Sequence, residues 1–372
     1  MLIQCTKKLL DQLKIKPNTP PDEHPLFSWH ANLITMDRRK TVVLTNDQNR
    51  YVIVLHGLKA KDFSKMDEPI LDALRQTFRA EGIKEEVIEK YIDASPPFTF
   101  TKTKNRTLVS RLNKACEYVP FLDDHIDPQS IVQPAVSMKA SRYLSGNIWP
   151  NREMYQDLEK FSGGRIFDSH AVQIKVTLQL ENHPVYRRLI IPLGFTFSQL
   201  HETLQIAFGW QDAHLHEFYI LGNETKQTIP LTQPTHHLER EKPIVNIVCD
   251  EEALSYESKT PMKLEHGLKL TEYLPQYKSL RYIYDFGDHW LHEIEMEDHI
   301  NDYDKNYPEC LEGEGNTPPE DVGGKYGYEM FLEVMDDKNH PDHEEMVSWS
   351  RMQRYRDFDL EMVNNYLRSH FY

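Results

Sequence analysis

Long apolar runs are missing from this chain of 372 residues. No stretch approaches the roughly 20 consecutive apolar residues that a membrane-spanning helix needs. The amino terminus lacks the order of a secretory signal, because its lysines stand after and among the apolar residues. Cysteine is scarce, and Cys5, Cys116, Cys249 and Cys310 form no CxxC pair. These absences predict a cytoplasmic protein with free thiols and no membrane association.

Familiar catalytic motifs are missing as well. The sequence contains no Walker loop, no GxGxxG, no GxSxG and no HExxH. Cys5 and Cys116 have no recognisable histidine partner, so catalysis by a nucleophilic thiolate is disfavoured. The sequence alone therefore assigns no reaction and no catalytic residue.

Acidic residues are unevenly distributed. Residues 1–162 carry 24 Lys+Arg and 21 Asp+Glu, whereas the rest of the chain carries 19 basic and 37 acidic residues, a net charge of −18. Such a balance repels phosphate backbones, and the second half lacks the basic stripe that duplex binding requires. Nucleic acid is therefore a disfavoured partner for the second half.

The length and the residue patterns predict two α+β domains, each a mostly antiparallel sheet with packed helices, at residues 1–150 and 165–372. A segment containing several prolines and glycines, 126–164, is interpreted as the connection. Periodic apolar positions predict helices at 68–80 and 105–118. Three apolar runs separated by charged turns predict a meander of strands. These runs are Trp29–Met36, Thr41–Asn46 and Tyr51–His56.

The second domain has clearer patterns of apolar and helix-capping residues. Alternating apolar residues from Val172 to Leu180 predict a half-buried strand. Thr196 and Gln199 form a capping-box signature, which predicts that a helix begins there and ends near Gly209. Further helices are predicted near 325–335, 341–349 and 358–368.

Residues 281–296 predict a β-hairpin with aromatic side chains on one face. Directly paired residues share a face, so the even-numbered positions pair only across a loop of odd length. A three-residue loop at 287–289 would place Phe286 opposite Trp290 and Tyr284 opposite His292.

Three ordered blocks stand out in the second half: YRRLIIPLGFTFSQLHETLQIAFGWQDAHLHEFYI at 186–220, YIYDFGDHWLHEIEMED at 282–298 and CLEGEGNTPPEDVGGKYGYEMFLEV at 310–334. Together they resemble the plasmid pRiA4b ORF-3-like family, whose members are also met as passenger proteins of insertion elements. The resemblance implies an α+β domain without an established reaction. Tyr186 departs from it, because the family usually has Trp there. The first half, with CTKKLL, WHANLITMDRRKT and LTND, resembles a separate uncharacterised bacterial domain.

Three histidines are candidate metal ligands. His214 and His216 stand two positions apart on a predicted strand and project from one face, while His292 lies on the aromatic face of the hairpin. If the two strands adjoin, the three imidazoles converge as a zinc or iron site requires, with Asp285 or Asp288 supplying a carboxylate. A structural role is the favoured alternative, with His292 in the core and His214 capping a turn.

Other charged residues also have two interpretations. Asp285 and Asp288 either bind a hard cation or act as acid and base, or they bond turn amides, which is favoured. The acids of 318–324 complement the dipole of the following helix or, as the minority view, bind a cation or a basic partner. Arg187 and Arg188 either clamp an anion or pair with the acidic loops, which is favoured.

The leading hypothesis is a binding or interaction module for a protein, peptide or small ligand. Its cleft would be lined by aromatic residues and histidine, and the candidate residues are Tyr284, Asp285, Asp288, Trp290 and Arg187. One alternative is a metal-dependent enzyme using a His/Asp cluster. Another, a DNA-transaction accessory protein associated with mobile elements, rests on the family resemblance alone, and the −18 balance argues against it.

Overall fold

The computed structural model describes residues 1–19, 23–222 and 243–372. The chain divides into two compact units, Met1–Asp168 and Ser169–Tyr372. Each unit combines a sheet with helices, and most of the strand pairs are antiparallel, which confirms the predicted α+β class. No helix in the described ranges is long and apolar enough to cross a membrane.

The strands of the first unit are β1 (Leu2–Cys5), β2 (Ser28–Met36), β3 (Arg39–Asn46), β4 (Val52–His56) and β5 (Thr99–Lys102). They form one sheet in the order β4-β3-β2-β1-β5. The antiparallel meander of β2, β3 and β4 confirms the prediction from the three apolar runs. β1 pairs in parallel with both β2 and β5, so the amino terminus lies inside the sheet, which the sequence did not predict.

The helices of the first unit are α1 (Lys7–Leu13), α2 (Ala60–Phe63), α3 (Asp67–Ala80), α4 (Glu85–Asp93), α5 (Arg106–Tyr118), α6 (Pro134–Ser141) and α7 (Pro150–Ser162), with short 3-10 helices at Pro25–Phe27 and Val119–His125. The predicted helices at 68–80 and 105–118 correspond to α3 and α5. Segment 126–164 is not a simple connection, because it contains α6 and α7. Its Pro134 and Pro150 stand at the starts of these helices, where the fixed φ of proline favours the first turn.

A buried carboxylate organises part of the first unit. Glu81, at the end of α3, accepts hydrogen bonds from the hydroxyl groups of Tyr51 at 2.6 Å and Tyr155 at 2.7 Å. The guanidinium of Arg142 pairs with both carboxylate oxygens, at 3.0 and 2.7 Å. The pair ties the end of α3 to the residue that follows α6, and the charge of Glu81 is compensated inside the core.

The strands of the second unit are β6 (Ser169–Leu178), β7 (Val185–Pro192), β8 (His216–Leu221), β9 (Pro243–Val248), β10 (Met262–Leu264), β11 (Ser279–Tyr284), β12 (Trp290–Tyr303) and β13 (Glu309–Glu314). Their order in the sheet is β10-β9-β8-β11-β12-β6-β7-β13. Strand β10 pairs in parallel with β9, and the other neighbours pair antiparallel. The alternating run from Val172 lies in β6, and its apolar side chains are buried as predicted.

The helices of the second unit are α8 (Phe197–Phe208), α9 (Gly324–Asp336), α10 (His343–Met352) and α11 (Leu360–Phe371), with short 3-10 helices at Glu251–Ser255 and Leu270–Glu272. Helix α8 begins with the predicted capping box of Thr196 and Gln199. Gly209 ends it with a φ of +79°, in the left-handed conformation that glycine adopts at least cost. The predictions for α9, α10 and α11 are confirmed within a few residues.

The hairpin of β11 and β12 has the predicted face but not the predicted register. Tyr284 pairs with Trp290, and Tyr282 pairs with His292. Each residue of β12 therefore pairs with a residue that stands two positions earlier in the sequence than the predicted partner. The loop spans residues 285–289, and Asp285 and His289 both adopt left-handed backbone conformations there. Phe286 is therefore in the loop and 51% exposed, not opposite Trp290. Because the shift is an even number of residues, the aromatic side chains still share one face.

Candidate functional site

The predicted aromatic cleft is not a surface feature. Tyr284, Trp290 and His292 are fully buried and belong to the core of the second unit, where they pack against α8. The ring of Trp210, just after α8, lies 4.9 Å from that of Tyr284 and 5.2 Å from that of His292. The face that we interpreted as a cleft is the interior face of the sheet, so the prediction of a cleft lined by Tyr284 and Trp290 was wrong.

The three predicted metal-binding histidines do not converge. In the sheet, β11 separates β8, which carries His216, from β12, which carries His292. The Nδ1 atom of His292 lies 3.1 Å from the carbonyl oxygen of Trp290 and 3.3 Å from that of Tyr282. Burial lowers the pKa of His292 to about 3, so this imidazole is neutral. It is the core histidine of the structural alternative.

His216 is part of a separate pair of histidines. Its ring stacks on that of His201, with centroids 3.4 Å apart, and its Nε2 lies 2.8 Å from a carboxylate oxygen of Glu265. Burial lowers the pKa of His216, but its interactions with Cys249 and Glu265 outweigh this effect and raise the pKa to about 9. The imidazole of His216 therefore forms an ion pair with Glu265 and does not belong to a ligand group with His214.

Arg187 is a structural residue and does not clamp an anion. It is buried, and its guanidinium lies 4.0 Å from the ring centre of Phe358. Five hydrogen bonds of 2.7–3.3 Å satisfy it, with the carbonyl oxygens of Tyr186, Ala207, Glu314 and Gly315 and the hydroxyl of Thr317 as acceptors. Burial lowers its pKa to about 10. Arg188 forms salt bridges with Glu297 and Glu312, but these acids lie in β12 and β13 and not in the acidic loops that we expected.

A different group of residues gathers around His214. Its Nε2 atom lies 3.5 Å from a carboxylate oxygen of Asp285 and 3.2 Å from one of Asp321. One ligand atom from each of these three residues lies within 4.8 Å of the other two. The side chain of Asp321 is 63% exposed, whereas that of Asp285 is buried, so the group opens to solvent on one side.

Buried hydrogen bonds hold the strand ends that carry this group. His214 precedes β8, and the neighbouring amide of Ala213 donates to the hydroxyl of Tyr284 at 2.9 Å. Asp285 follows β11, and its amide donates to the carbonyl of Leu215 at 3.0 Å. Its Oδ1 accepts from the amide of Gly287 at 2.8 Å, which leaves Oδ2 facing His214. The predicted turn role of Asp285 and its position beside His214 therefore coexist in one carboxylate.

A fourth residue, Glu320, also lies beside His214. This carboxylate is 3% exposed, and its Oε1 accepts hydrogen bonds from the Gln211 amide at 2.9 Å and the Tyr284 hydroxyl at 3.0 Å. Its Oε2 accepts no hydrogen bond from the described residues and lies 3.8 Å from Nε2 of His214. Burial raises the pKa of Glu320, since desolvation penalises its charged form. An oxygen of a buried carboxylate thus points into the group without a hydrogen-bond donor.

Asp288 connects the two loops of the site. Its Oδ2 accepts a hydrogen bond from the amide of Gly323 at 3.1 Å. Gly324 has a φ of +67°, and a Cβ atom there would lie 3.0 Å from the Asp288 carbonyl oxygen. Only glycine fits this backbone and this spacing without strain. Asp288 therefore positions the loop of Glu320 and Asp321 instead of joining the ligand group.

From the sequence we identified His214 and Asp285 as candidates but not Glu320 and Asp321. We interpreted the acids of 318–324 mainly as complements of the helix dipole. A usable signal was the pair Gly323 and Gly324 directly after them, because two glycines allow that loop to approach another backbone closely. Chemically, one imidazole nitrogen and several carboxylate oxygens form a donor set for divalent metal ions.

Two family models match this chain, one in each half. Residues 2–153 match a domain of unknown function, DUF6933. An uncharacterized protein, y4hQ of Sinorhizobium fredii, is 33% identical over 184 residues, which cover 48% of this chain and 79% of the relative. A crystal structure of a protein of unknown function from Methanosarcina mazei Go1 is 28% identical, covers 52% of this chain and 94% of its own, and has a TM-score of 0.40. Residues 170–366 match the sequence pattern of the plasmid pRiA4b ORF-3-like proteins, and the chain belongs to that family.

Proposed function

We propose that the second unit binds a divalent metal ion through His214, Asp285, Glu320 and Asp321 and uses it as the centre of a metal-dependent enzyme. The buried Oε2 of Glu320 is the observation that carries the proposal. Leaving a buried carboxylate oxygen without a donor is costly, and a cation between Glu320 and His214 would remove that cost.

The donor set favours certain ions. An imidazole with oxygen ligands suits zinc, manganese or ferrous iron, whereas calcium and magnesium prefer oxygen ligands throughout. Three carboxylates beside one imidazole bring an excess of negative charge together, which a divalent cation would largely offset. One oxygen of Asp285 accepts a hydrogen bond from the Gly287 amide, and one oxygen of Glu320 accepts one from the Tyr284 hydroxyl. Such bonds are typical of metal sites, where they orient the carboxylates that bind the ion.

The exposed side of the group supports catalysis more than structural metal binding. A structural zinc site is closed by four protein ligands with little exposure, whereas a catalytic site keeps a position open. Asp321 is largely exposed and His214 is 28% exposed, so an oxygen ligand from solvent or substrate could reach an ion here. The proposed chemistry is Lewis-acid catalysis of hydrolysis.

We place the protein in the cytoplasm, because its four cysteines, all in the described ranges, form no disulfide.

Metal analysis of the full chain, purified without chelator, tests the proposal. We expect stoichiometric zinc, manganese or iron in the natural protein, and its loss in His214→Ala and Asp285→Asn. His289→Ala is the matched control, because His289 is an exposed histidine of the same loop outside the ligand group. A natural protein that neither contains one of these metals nor gains thermal stability when they are added would overturn the proposal. Equal metal content in His214→Ala and His289→Ala would also overturn it.

A further inference from the structure

A second feature of the second unit is a cationic pocket of about 500 Å³. Three segments line it: the end of α8 at residues 205–210, the chain between α10 and α11 at Arg354 and Arg356, and the last turns of α11 at 366–370. Among the described residues that line it there is no aspartate or glutamate. This is unusual in a half of the chain with 19 basic and 37 acidic residues.

The two arginines of the pocket have no anionic partner among the residues that the structure describes. Across the described parts of the chain, neither the Arg354 nor the Arg356 guanidinium forms an ion pair or a side-chain hydrogen bond. Arg356 lies 5.7 Å from the ring centre of Tyr366, a cation–π contact that leaves its N–H groups available. A guanidinium presents its donors in a planar fork that matches a carboxylate or a phosphate. Glu297 of β12 and Glu312 of β13 pair with Arg188 and not with these two arginines.

The backbone fixes the position of Arg354. This residue has a φ of +60°, a left-handed conformation that glycine would adopt at lower cost at the end of a helix. Tyr355, the next residue, donates its amide to the carbonyl of Ser350 at 2.9 Å, which closes the last turn of α10. The chain therefore leaves α10 in a defined direction, and both arginines are presented from a short, ordered segment.

Apolar and polar side chains complete the wall, and the polar ones are Gln205, Ser369 and His370, the last of which pairs with Glu202. Ile206, Trp210 and Tyr366 line the pocket beside the arginines. Trp210 is 8% exposed, and its Nε1 donates to the carbonyl of Pro318 at 3.0 Å, so its ring is held in place. A small cavity of about 40 Å³ shares Trp210 and both arginines and extends to Glu320.

From these contacts we infer that the pocket binds an organic oxyanion, a phosphate or carboxylate group attached to an aromatic body. The oxyanion lies between Arg354 and Arg356, and the aromatic body lies against Trp210 and Tyr366. This inference does not depend on the metal site, although the shared cavity places the two next to each other.

Titration calorimetry on the full chain tests the inference, with phenyl phosphate, benzoate and inorganic phosphate as probes in low salt with chelator present. We expect an aromatic probe to bind with one-to-one stoichiometry and more tightly than inorganic phosphate. A preference for phenyl phosphate over benzoate identifies the oxyanion as phosphate, and the reverse identifies it as carboxylate. Arg354→Ala and Arg356→Ala should each weaken binding by about tenfold or more, which corresponds to the loss of a charge-assisted hydrogen bond.

Arg351→Ala is the matched control, because Arg351 is an exposed arginine of α10 that does not line the pocket. It should leave the affinity unchanged, and Asp285→Asn, which lies in the metal group, should also leave it unchanged. All of the substituted arginines are exposed, so folding should persist, and circular dichroism of each variant checks this. Absence of binding by both aromatic probes, or equal losses in Arg351→Ala and Arg354→Ala, would overturn the inference.

Discussion

The hydroxyl of Tyr284 donates a hydrogen bond of 3.0 Å to Oε1 of Glu320. The same hydroxyl accepts from the amide of Ala213 at 2.9 Å. One fully buried core residue thus touches both the segment that carries His214 and the loop that carries Asp321. Because these hydrogen bonds hold Oε1, Oε2 is directed toward His214, and no donor in the described parts of the chain reaches it. The geometry of the candidate metal site therefore depends on the packing of the hairpin.

Glu320→Gln should have opposite effects on the stability of the metal-free protein and on its affinity for metal. The neutral amide keeps an acceptor for Tyr284 and Gln211 but removes a buried charge. We expect the free energy of unfolding of the metal-free protein to rise by about 1 kcal/mol at neutral pH. Metal affinity should fall by about tenfold or more. Urea unfolding with chelator and metal titration measure the two effects, and a destabilised variant with unchanged metal affinity would contradict our account of Glu320.

Arg187 and Arg188 are adjacent but should respond very differently to the same substitution. Arg187→Met leaves buried carbonyl groups without donors, and we expect it to lower the free energy of unfolding by about 3 kcal/mol or more. Arg188→Met removes partly exposed ion pairs and should cost about 0–1 kcal/mol. Chemical denaturation of both variants measures the difference, and similar losses would show that the bonds of Arg187 contribute little.

The ion pair of His216 and Glu265 should make stability depend on pH. A histidine whose pKa rises from 6.5 to about 9 on folding stabilises the native state fully below pH 6.5. That contribution, up to about 3 kcal/mol, should be lost as the pH rises through about 9. Glu265→Gln should reduce this dependence but not abolish it, because Cys249 also raises the pKa of His216. Unfolding free energies of both proteins between pH 6 and pH 10 test the prediction, because other groups titrate equally in the two and their effect cancels in the difference.

In the first unit, Glu81→Gln should be strongly destabilising. It leaves the Arg142 guanidinium, whose side chain is 25% exposed, with a neutral partner, and breaking a buried pair costs about 3–5 kcal/mol, so we expect a loss toward the lower end of that range. Glu85→Gln is the matched control, since Glu85 pairs with Arg79 at the surface, where ion pairs contribute about 1 kcal/mol or less. Hydrogen exchange of the amides of α3 and β4 reports on this unit directly. Equal exchange rates in the two variants would contradict the role of Glu81.

Much of the fold could be predicted because its signals are local. Apolar alternation identified β6, and the capping box of Thr196 and Gln199 identified the start of α8, because both patterns act within a few residues. Strand β1 was missed because its place inside the sheet, between β2 and β5, comes from pairing with strands that are distant in the sequence. The hairpin register was missed because it depends on left-handed conformations at Asp285 and His289, which neither residue type predicts with certainty.

The candidate site was only half predictable for a similar reason. His214 and Asp285 stood out because each lies in a fragment rich in histidine and aromatic residues. Glu320 and Asp321 did not, because acids before a helix have a sufficient local explanation in the helix dipole. Their approach to His214 depends on the close contact of Gly324 with the Asp288 backbone, which is a tertiary feature. The function of the aromatic residues was misjudged, since alternation alone does not tell an interior face from an exposed one.

The ligand group around His214 is drawn from three segments that are far apart in the sequence. An unfolded chain holds these side chains too far from one another to chelate an ion, so metal would bind almost exclusively to the native state. Free metal at a hundredfold excess over its dissociation constant would then add about 2.7 kcal/mol to stability. Changes in metal supply would consequently alter how long the second unit survives proteolysis, even where no reaction is under way.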